Sequence, residues 1–176
     1  MKYSDIYRLY STSQPKDAIH QALREVPVDD SDEQYEDRSP LHLACQYGDT
    51  EGVKILLERD AEPNTKDANG STPIHILGRT SAGCADEDKL KEIAVMLIEQ
   101  GANIPRSAKN TTALIECIRN RHFKMAEAII DSGARVNSTD LNGENVLFGF
   151  CAASGDIRRD IRFAKKELDE SVQYRY

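Results

Sequence analysis

The sequence predicts an all-α solenoid in which short helix-turn-helix units stack side by side. A four-residue pattern of Ser or Thr, Pro, an aliphatic residue and His occurs at 39–42 and returns 33 residues later at 72–75. A second pattern, an apolar pair followed by two polar residues, a turn residue and Ala, occurs at 56–61, 97–102 and 129–134. Internal repetition with a period of roughly 20 to 50 residues is typical of solenoids.

The two patterns keep one register along the chain. Weaker versions of the first occur at 112–115 and 145–148, so its copies are 33, 40 and 33 residues apart. The distance from Pro or its equivalent to the apolar pair is 16 residues in the first and third repeats but 24 in the second. The second repeat therefore carries an eight-residue insertion near 81–88.

The first helix of each unit is encoded at its start. Pro40 and Pro73 occupy the first helical position, where the fixed φ of proline suits a helix and its missing N–H is not needed. Ser39 and Thr72 precede them as N-caps, whose hydroxyls accept from an amide of the first turn. We therefore expect helices to begin at 40 and 73.

The second helix of each unit is indicated by an apolar face and a turn residue. Val53, Leu56 and Leu57 have i, i+3, i+4 spacing, which places them on one face of a helix. The helix is expected to stop at a residue in the left-handed conformation. The residues at this position are Asp60, Gly101 and Gly133.

The segments between units contain Asn-Gly pairs, and the chain ends lack the four-residue pattern. Asn-Gly at 69–70 and 142–143 predicts a tight reversal with positive φ. Because the end units of a solenoid face water, capping units are expected there. The predicted division is an N-terminal capping unit at 1–33, repeat 1 at 34–66, repeat 2 with its insertion at 67–107, repeat 3 at 108–139 and a C-terminal capping unit at 140–176.

With its 33-residue period, Thr-Pro-Leu-His type pattern, Leu pair and Asn-Gly hairpin, the sequence resembles the ankyrin repeat family over residues 34–148. The resemblance implies a structural role for His42 and His75. Each imidazole is expected to bond the Ser or Thr hydroxyl with one nitrogen and the backbone of the neighbouring loop with the other. It also implies binding of proteins through a concave surface made of hairpin tips and first helices.

Composition excludes several classes of protein. The chain has 176 residues, a hydrophobic content of 39 % and no apolar run that approaches the roughly 20 residues of a membrane helix. A net charge of −7 and a pI near 5.2 disfavour binding to nucleic acid or anionic lipid. We expect a soluble monomer in the cytoplasm, since the N-terminus has no apolar secretory core and the four cysteines are widely separated.

Charge is unevenly distributed along the chain. An acidic segment, residues 25–37, contains seven acids and no base, whereas residues 157–167 contain five bases and two acids. Each run is explained by a solvated face. The alternative is a molecule with one acidic and one basic end that orients its partner.

No catalytic, cofactor or metal site is indicated by the sequence. It contains no nucleophile elbow, phosphate loop or HExxH pair, and no Cys or His pair has metal-ligand spacing. Cys45, Cys117 and Cys151 fall in first helices as buried thiols, and Cys84 falls in the insertion. The acidic runs at 29–30 and 86–88 are interpreted as charged loops rather than as cation sites.

The register of the resemblance assigns a set of surface residues, which we call the predicted strip. Tyr and Arg are the residue types that most often dominate binding energy at interfaces. The predicted strip consists of Tyr35, Glu36, Arg38, Gln46, Tyr47, Ala68, Asn69, Ser71, Arg79, Thr80, Lys109, Thr111, Arg119, Asn120, Leu141, Asn142 and Glu144.

The sequence thus favours a non-enzymatic protein that binds another protein through the predicted strip. Two alternatives stay open. The chain could be an immunity, inhibitor or host-directed effector protein, for which binding is itself the activity. It could also be the recognition part of an enzyme assembly.

Overall fold

The computed structural model describes residues 1–80, 86–104 and 112–134. These residues form eight α-helices and one short 3₁₀ turn at Glu33–Tyr35, which confirms the all-α class. The helices are α1 (Tyr3–Ser11), α2 (Lys16–Glu25), α3 (Pro40–Gln46), α4 (Thr50–Glu58), α5 (Pro73–Gly78), α6 (Glu87–Glu99), α7 (Ala113–Arg119) and α8 (Phe123–Asp131).

The helices stack in two rows. The first-helix row is α1, α3, α5 and α7, each in contact with the next, and the second-helix row is α2, α4, α6 and α8. Fully buried aliphatic side chains from successive helices, including Leu41, Leu56, Ile74, Leu97 and Leu114, join in one continuous core. The arrangement is a solenoid, as predicted. The unit boundaries remain a prediction, and the C-terminal unit at 140–176 lies outside the described residues.

The first helices begin where the sequence predicts. Helix α3 begins at Pro40 and α5 at Pro73, each after an extended Ser or Thr. In α7, Thr112 caps the helix with its own hydroxyl, which accepts the amide of Ile115 at 3.2 Å. In α3, the imidazole of His42 reaches back to the amide of Ser39 at 3.1 Å, so the histidine takes part in the cap.

The second helices end in one repeated geometry. The turn residues Asp60, Gly101 and Gly133 have φ angles of 61°, 86° and 90°, which confirms the predicted left-handed conformation. After α4, the amide of Ala61 donates to the carbonyl of Leu56 at 3.0 Å, and the amide of Asp60 donates to that of Leu57 at 3.0 Å. This pair of bonds is the Schellman motif, which satisfies the last carbonyls of a helix.

The loop from 67 to 71 reverses the chain, as the Asn-Gly pair predicts. Only Gly70 within it has a positive φ, at 68°. The Asp67 carboxylate holds the turn by accepting the amides of Asn69 at 2.9 Å and Ser71 at 2.8 Å. A side chain that bonds its own loop in this way is typical of aspartate in turns. The second Asn-Gly pair lies outside the described residues.

The end of the predicted insertion lengthens a helix. Helix α6 has 13 residues, against nine in α4 and in α8. Asp86 caps α6 by accepting the amide of Asp88 at 3.2 Å, and Asp88 binds Lys124 of α8 at 2.6 Å. These acids therefore cap α6 and join it to α8 in the second-helix row.

Candidate protein-binding surface

Successive units are joined by a histidine at the start of the first helix. His42 Nδ1 lies 2.9 Å from Ser39 Oγ, and His42 Nε2 lies 3.0 Å from the carbonyl oxygen of Ser71 in the next loop. Because a carbonyl can only accept, Nε2 carries the proton, and Nδ1 accepts the amide of Ser39. Burial lowers the pKa of His42 to about 4. The predicted structural role of His42 is thereby confirmed.

His75 repeats the first half of this arrangement. Its Nδ1 lies 2.9 Å from Thr72 Oγ1, and the side chain is fully buried. The following loop, residues 105–111, lies outside the described residues. In repeat 3 the equivalent position is Ile115, an apolar residue that cannot form this bond.

A second line of bonds joins the turns between first and second helices. Thr80 Oγ1 lies 3.3 Å from the carbonyl oxygen of Cys45, one unit below. His122 Nε2 lies 2.6 Å from the carbonyl oxygen of Thr80, and Asn120 Nδ2 donates to that of Gly78 at 3.0 Å. The local sequence gave no signal for these contacts, since their partners are 35 to 42 residues apart.

The N-terminal unit is joined to repeat 1 through a buried carboxylate. Asp49 accepts from Tyr10 Oη at 2.8 Å and lies 3.0 Å from His20 Nε2. Burial, followed by the negative charge of Asp49, raises the pKa of Tyr10. Space at this junction is tight, because a Cβ on Gly52 would lie 2.6 Å from Asp49 Oδ2. The group therefore fixes the cap on the stack.

Two residues of the predicted strip are buried. Ser71 is 0 % exposed and Thr80 is 4 % exposed, so the expectation that these side chains face a partner is wrong. The Ser71 hydroxyl accepts from Arg79 at 3.0 Å, and Thr80 bonds the preceding unit as described above. Both positions are covered because the neighbouring unit packs over them.

Arg38 lies at the centre of a polar network in repeat 1. Its guanidinium donates to Glu36 at 2.5 Å and to Gln46 at 2.8 Å. The Asp67 carboxylate of the next hairpin lies 3.6 Å from Arg38 Nε. Three residues of the predicted strip, Glu36, Arg38 and Gln46, are thus brought together, and Asp67 was missed by the sequence analysis.

Arg79 forms the corresponding network between repeats 2 and 3. Its Nη1 donates to Ser71 Oγ at 3.0 Å, and its Nε lies 3.1 Å from Glu116 Oε1 on α7. Arg119, one turn further along α7, is exposed. Asn120 is half-buried and also donates to the carbonyl of Glu116, at 2.9 Å.

The tyrosines of the predicted strip pack on the N-terminal unit. The ring of Tyr35 lies 4.1 Å from that of Tyr7 and 5.6 Å from that of Tyr3, measured between centroids. The ring of Tyr47 stacks on that of Tyr10 at 4.8 Å with an interplanar angle of 11°. Tyr3, Tyr7 and Tyr10 are spaced so that they share one face of a helix, and this spacing is the sequence feature that could have predicted the cluster.

The remaining residues of the predicted strip divide into two groups. Ala68 is exposed at the hairpin tip, where its amide donates to the carbonyl of Glu36 at 2.7 Å, and Asn69 is half-buried beside it. Five residues lie outside the described part of the chain: Lys109, Thr111, Leu141, Asn142 and Glu144.

The described residues contain no group of three or more His, Cys, Asp or Glu side chains placed to hold a metal ion. Cys45 and Cys117 are free and fully buried, and burial raises the pKa of both thiols. A thiol that is held protonated in this way is a poor nucleophile. None of the helices in residues 1–80, 86–104 and 112–134 is both long and apolar enough to cross a membrane.

Comparison with known proteins matches this sequence to one family. Residues 22–77 match the family model described as ankyrin repeats in many copies. The mouse neurogenic locus notch homolog protein 1 is 31 % identical over 134 residues, which cover 76 % of this chain and 5 % of that protein. The chain belongs to the ankyrin repeat family. The ankyrin repeat protein nuc-2 of Neurospora crassa is 29 % identical over 124 residues, covering 69 % of this chain and 10 % of its own length.

A further relative is matched over a shorter stretch. The Caenorhabditis elegans transient receptor potential cation channel subfamily A member 1 homolog is 38 % identical over 69 residues, 39 % of this chain and 6 % of that protein. The chain thus spans 10 % or less of the length of these curated relatives. What is shared is the ankyrin repeat region. Ankyrin repeats are in general protein-interaction modules rather than enzymes.

Proposed function

We propose that this ankyrin repeat protein is a non-enzymatic module that binds a partner protein through the exposed part of the predicted strip. The observation that carries the proposal is the pair of polar networks around Arg38 and Arg79. They connect the hairpin of repeat 1, α3, the hairpin of repeat 2, α5 and α7. A surface that runs across several units gives a partner an extended contact area.

The networks favour binding because they hold long side chains in place before a partner arrives. Immobilising a flexible side chain at an interface costs about 0.5–1.5 kcal/mol. The side chains of Arg38 and Arg79 are 22 % and 26 % exposed, so they are accessible while already oriented by their acidic partners. A partner would meet fixed donors and acceptors, with the exposed residues Glu36, Ala68 and Arg119 around them.

The narrower interpretations would use the same surface. An immunity, inhibitor or host-directed effector protein, or the recognition part of an enzyme assembly, would differ in the identity of the partner. We further propose a monomer in the reducing cytoplasm, which the free buried thiols Cys45 and Cys117 support.

Affinity capture from its own cells, followed by measurement of the partner's Kd, tests the proposal. Ala68→Arg with Arg119→Glu alters the exposed surface at two separate units and leaves the backbone bond of Ala68 intact. Lys54→Glu with Glu58→Lys, a swap of exposed charges on α4, is the matched control. We expect the first pair to weaken binding at least about tenfold, or 1.4 kcal/mol, and the control to bind as wild type. Equal binding by both folded variants would overturn the proposal.

A further inference from the structure

The N-terminal end of the molecule carries an aromatic surface. Five of the chain's seven tyrosines lie on α1 or in repeat 1. Tyr3 and Tyr10 are buried, and Tyr7, Tyr35 and Tyr47, which we call the tyrosine surface, are half-buried above them. Their ring contacts, at 4.1 and 4.8 Å, connect α1 with the 3₁₀ turn and with the end of α3.

The surroundings of the tyrosine surface are acidic. Tyr35 itself lies within the acidic segment, which has seven acids and no base. Asp29, Glu33 and Glu36 of that segment are exposed. The base that follows it, Arg38, is already bound by Glu36 and lies beside Asp67. Residues 1–37 together contain nine acids and four bases, so this end of the described structure presents electron-rich rings within an excess of negative charge.

A hydrogen-bonding group lies unpaired beneath these rings. The hydroxyl of Tyr3 is buried and has no hydrogen-bond partner among the described residues, and Tyr3 as a whole is 1 % exposed. Its electrostatic neighbours are Arg38, Tyr7, Asp32 and Tyr35. Buried hydroxyls are nearly always bonded, so this one is an exception within the aromatic cluster.

We propose that the tyrosine surface binds an arginine- and lysine-rich segment of the partner protein. The inference rests on the proposed function and specifies the chemistry of the partner. Guanidinium and ammonium groups are attracted to the faces of tyrosine rings, and Arg also stacks on them. Exposed acids around the rings would raise the rate of encounter with a basic segment and fix its orientation.

A labelled peptide of four Gly-Arg-Ser repeats tests the ring contribution by fluorescence anisotropy, with a Gly-Glu-Ser peptide of equal length as control. We expect the basic peptide to bind and the acidic peptide not to bind. Tyr7→Leu with Tyr35→Leu should weaken it about five- to thirtyfold, from the loss of two cation–π contacts. Tyr7→Phe with Tyr35→Phe keeps the rings and should bind within about twofold of wild type. Full binding by the Leu pair, or equal loss by the Phe pair, would overturn the inference.

The acidic contribution is tested separately, and this arm also serves if the Leu pair does not fold. Asp29→Asn with Glu33→Gln should weaken the basic peptide at least about threefold, and the effect should shrink as salt is raised from 50 to 300 mM. Glu51→Gln with Glu58→Gln, an equal charge change on exposed sites of α4, should not weaken it. Equal loss in both pairs means nonspecific attraction and overturns the inference.

If the captured partner still depends on Ala68 and Arg119 while no variant of the tyrosine surface affects peptide binding, the inference fails and the proposed function stands.

Discussion

His42 and Ser71 join two successive units through one hydrogen bond, from His42 Nε2 to the carbonyl oxygen of Ser71 at 3.0 Å. Both residues are 0 % exposed. The same imidazole accepts the amide of Ser39, so one side chain fixes the start of its own helix and the loop of the next unit.

Replacing His42 by Ala should lower the free energy of unfolding by about 2–4 kcal/mol, because a buried carbonyl and a buried amide each lose a partner. Urea unfolding at pH 7 measures the change. Lys54→Ala, on the exposed side of α4, is the control and should change stability by about 0.5 kcal/mol or less. A change of that small size for His42→Ala would show that the bond does not stabilise the stack.

Stability should fall below pH 6.5 because His42 is neutral in the folded protein. Its pKa is lowered from 6.5 to about 4 by burial. The unfolded chain therefore binds a proton at this histidine between those two values, while the folded chain does not. Between pH 7 and 5 the wild type should lose about 2 kcal/mol more than His42→Ala in urea unfolding. Parallel pH curves for the two proteins would contradict a depressed pKa.

The end of α4 should be improved by glycine. Asp60 has a φ of 61°, a conformation that costs a residue with a side chain more than it costs Gly, and its charge opposes the helix dipole. Asp60→Gly should raise the free energy of unfolding by about 1 kcal/mol, and Asp60→Asn, which removes the charge alone, by less.

The reverse change at the end of α6 is the matched control for this effect. Gly101 has a φ of 86°, and a Cβ placed there would meet nothing within 4 Å, so only backbone strain is added. Gly101→Ala should therefore destabilise the protein by about 1 kcal/mol. Thermal unfolding measures the Tm of both variants. Shifts of Tm in the same direction for Asp60→Gly and Gly101→Ala would contradict the left-handed assignment.

Thr80 should affect stability and leave partner binding unchanged. Thr80→Val keeps the shape of the side chain but removes the hydroxyl that lies 3.3 Å from the carbonyl of Cys45. We expect a loss of about 1 kcal/mol in urea unfolding and an unchanged Kd for the captured partner. A Kd raised tenfold in the folded variant would instead place Thr80 at the interface.

Cys45 and Cys117 should react with a thiol reagent only after unfolding. Both are fully buried, and burial raises their pKa. In the folded chain the two thiols are therefore protonated and out of reach of the reagent. In a Cys84→Ser/Cys151→Ser variant, the native protein should show no reaction and the urea-unfolded protein should release colour from two thiols per chain. Rapid reaction of the native variant would contradict the burial.

The repeated features of the fold could be predicted from the sequence because they are encoded locally. Pro40 and Pro73 mark helix starts, and Asp60, Gly101 and Gly133 mark helix ends, within a few residues of the groups they satisfy. The role of His42 was predicted from the family resemblance. Its bond to Ser71 spans 29 residues, close to one repeat period, so the register supplied the partner.

The candidate surface was harder to predict because burial depends on the neighbouring unit. Ser71 and Thr80 are polar residues in a hairpin and a helix end, and nothing in their local sequence shows that neighbouring units bury them. Asp49 binds Tyr10 and His20, which lie in the N-terminal unit. That unit lacks the four-residue pattern, so the repeat register could not pair its residues with Asp49. Glu36 and Ala68 are exposed because hairpin tips project from the stack, and their contact with a partner stays a prediction.

Hydrogen exchange of the captured complex, read by mass spectrometry, tests the central claim most directly. Partner binding should slow exchange of amides in the two hairpins, residues 33–38 and 68–71, and at the ends of α3 and α5. The amides of α4 and α8, in the second-helix row, should exchange as in the free protein. Protection confined to α4, α6 and α8, with unchanged exchange in the hairpins, would contradict binding through the predicted strip.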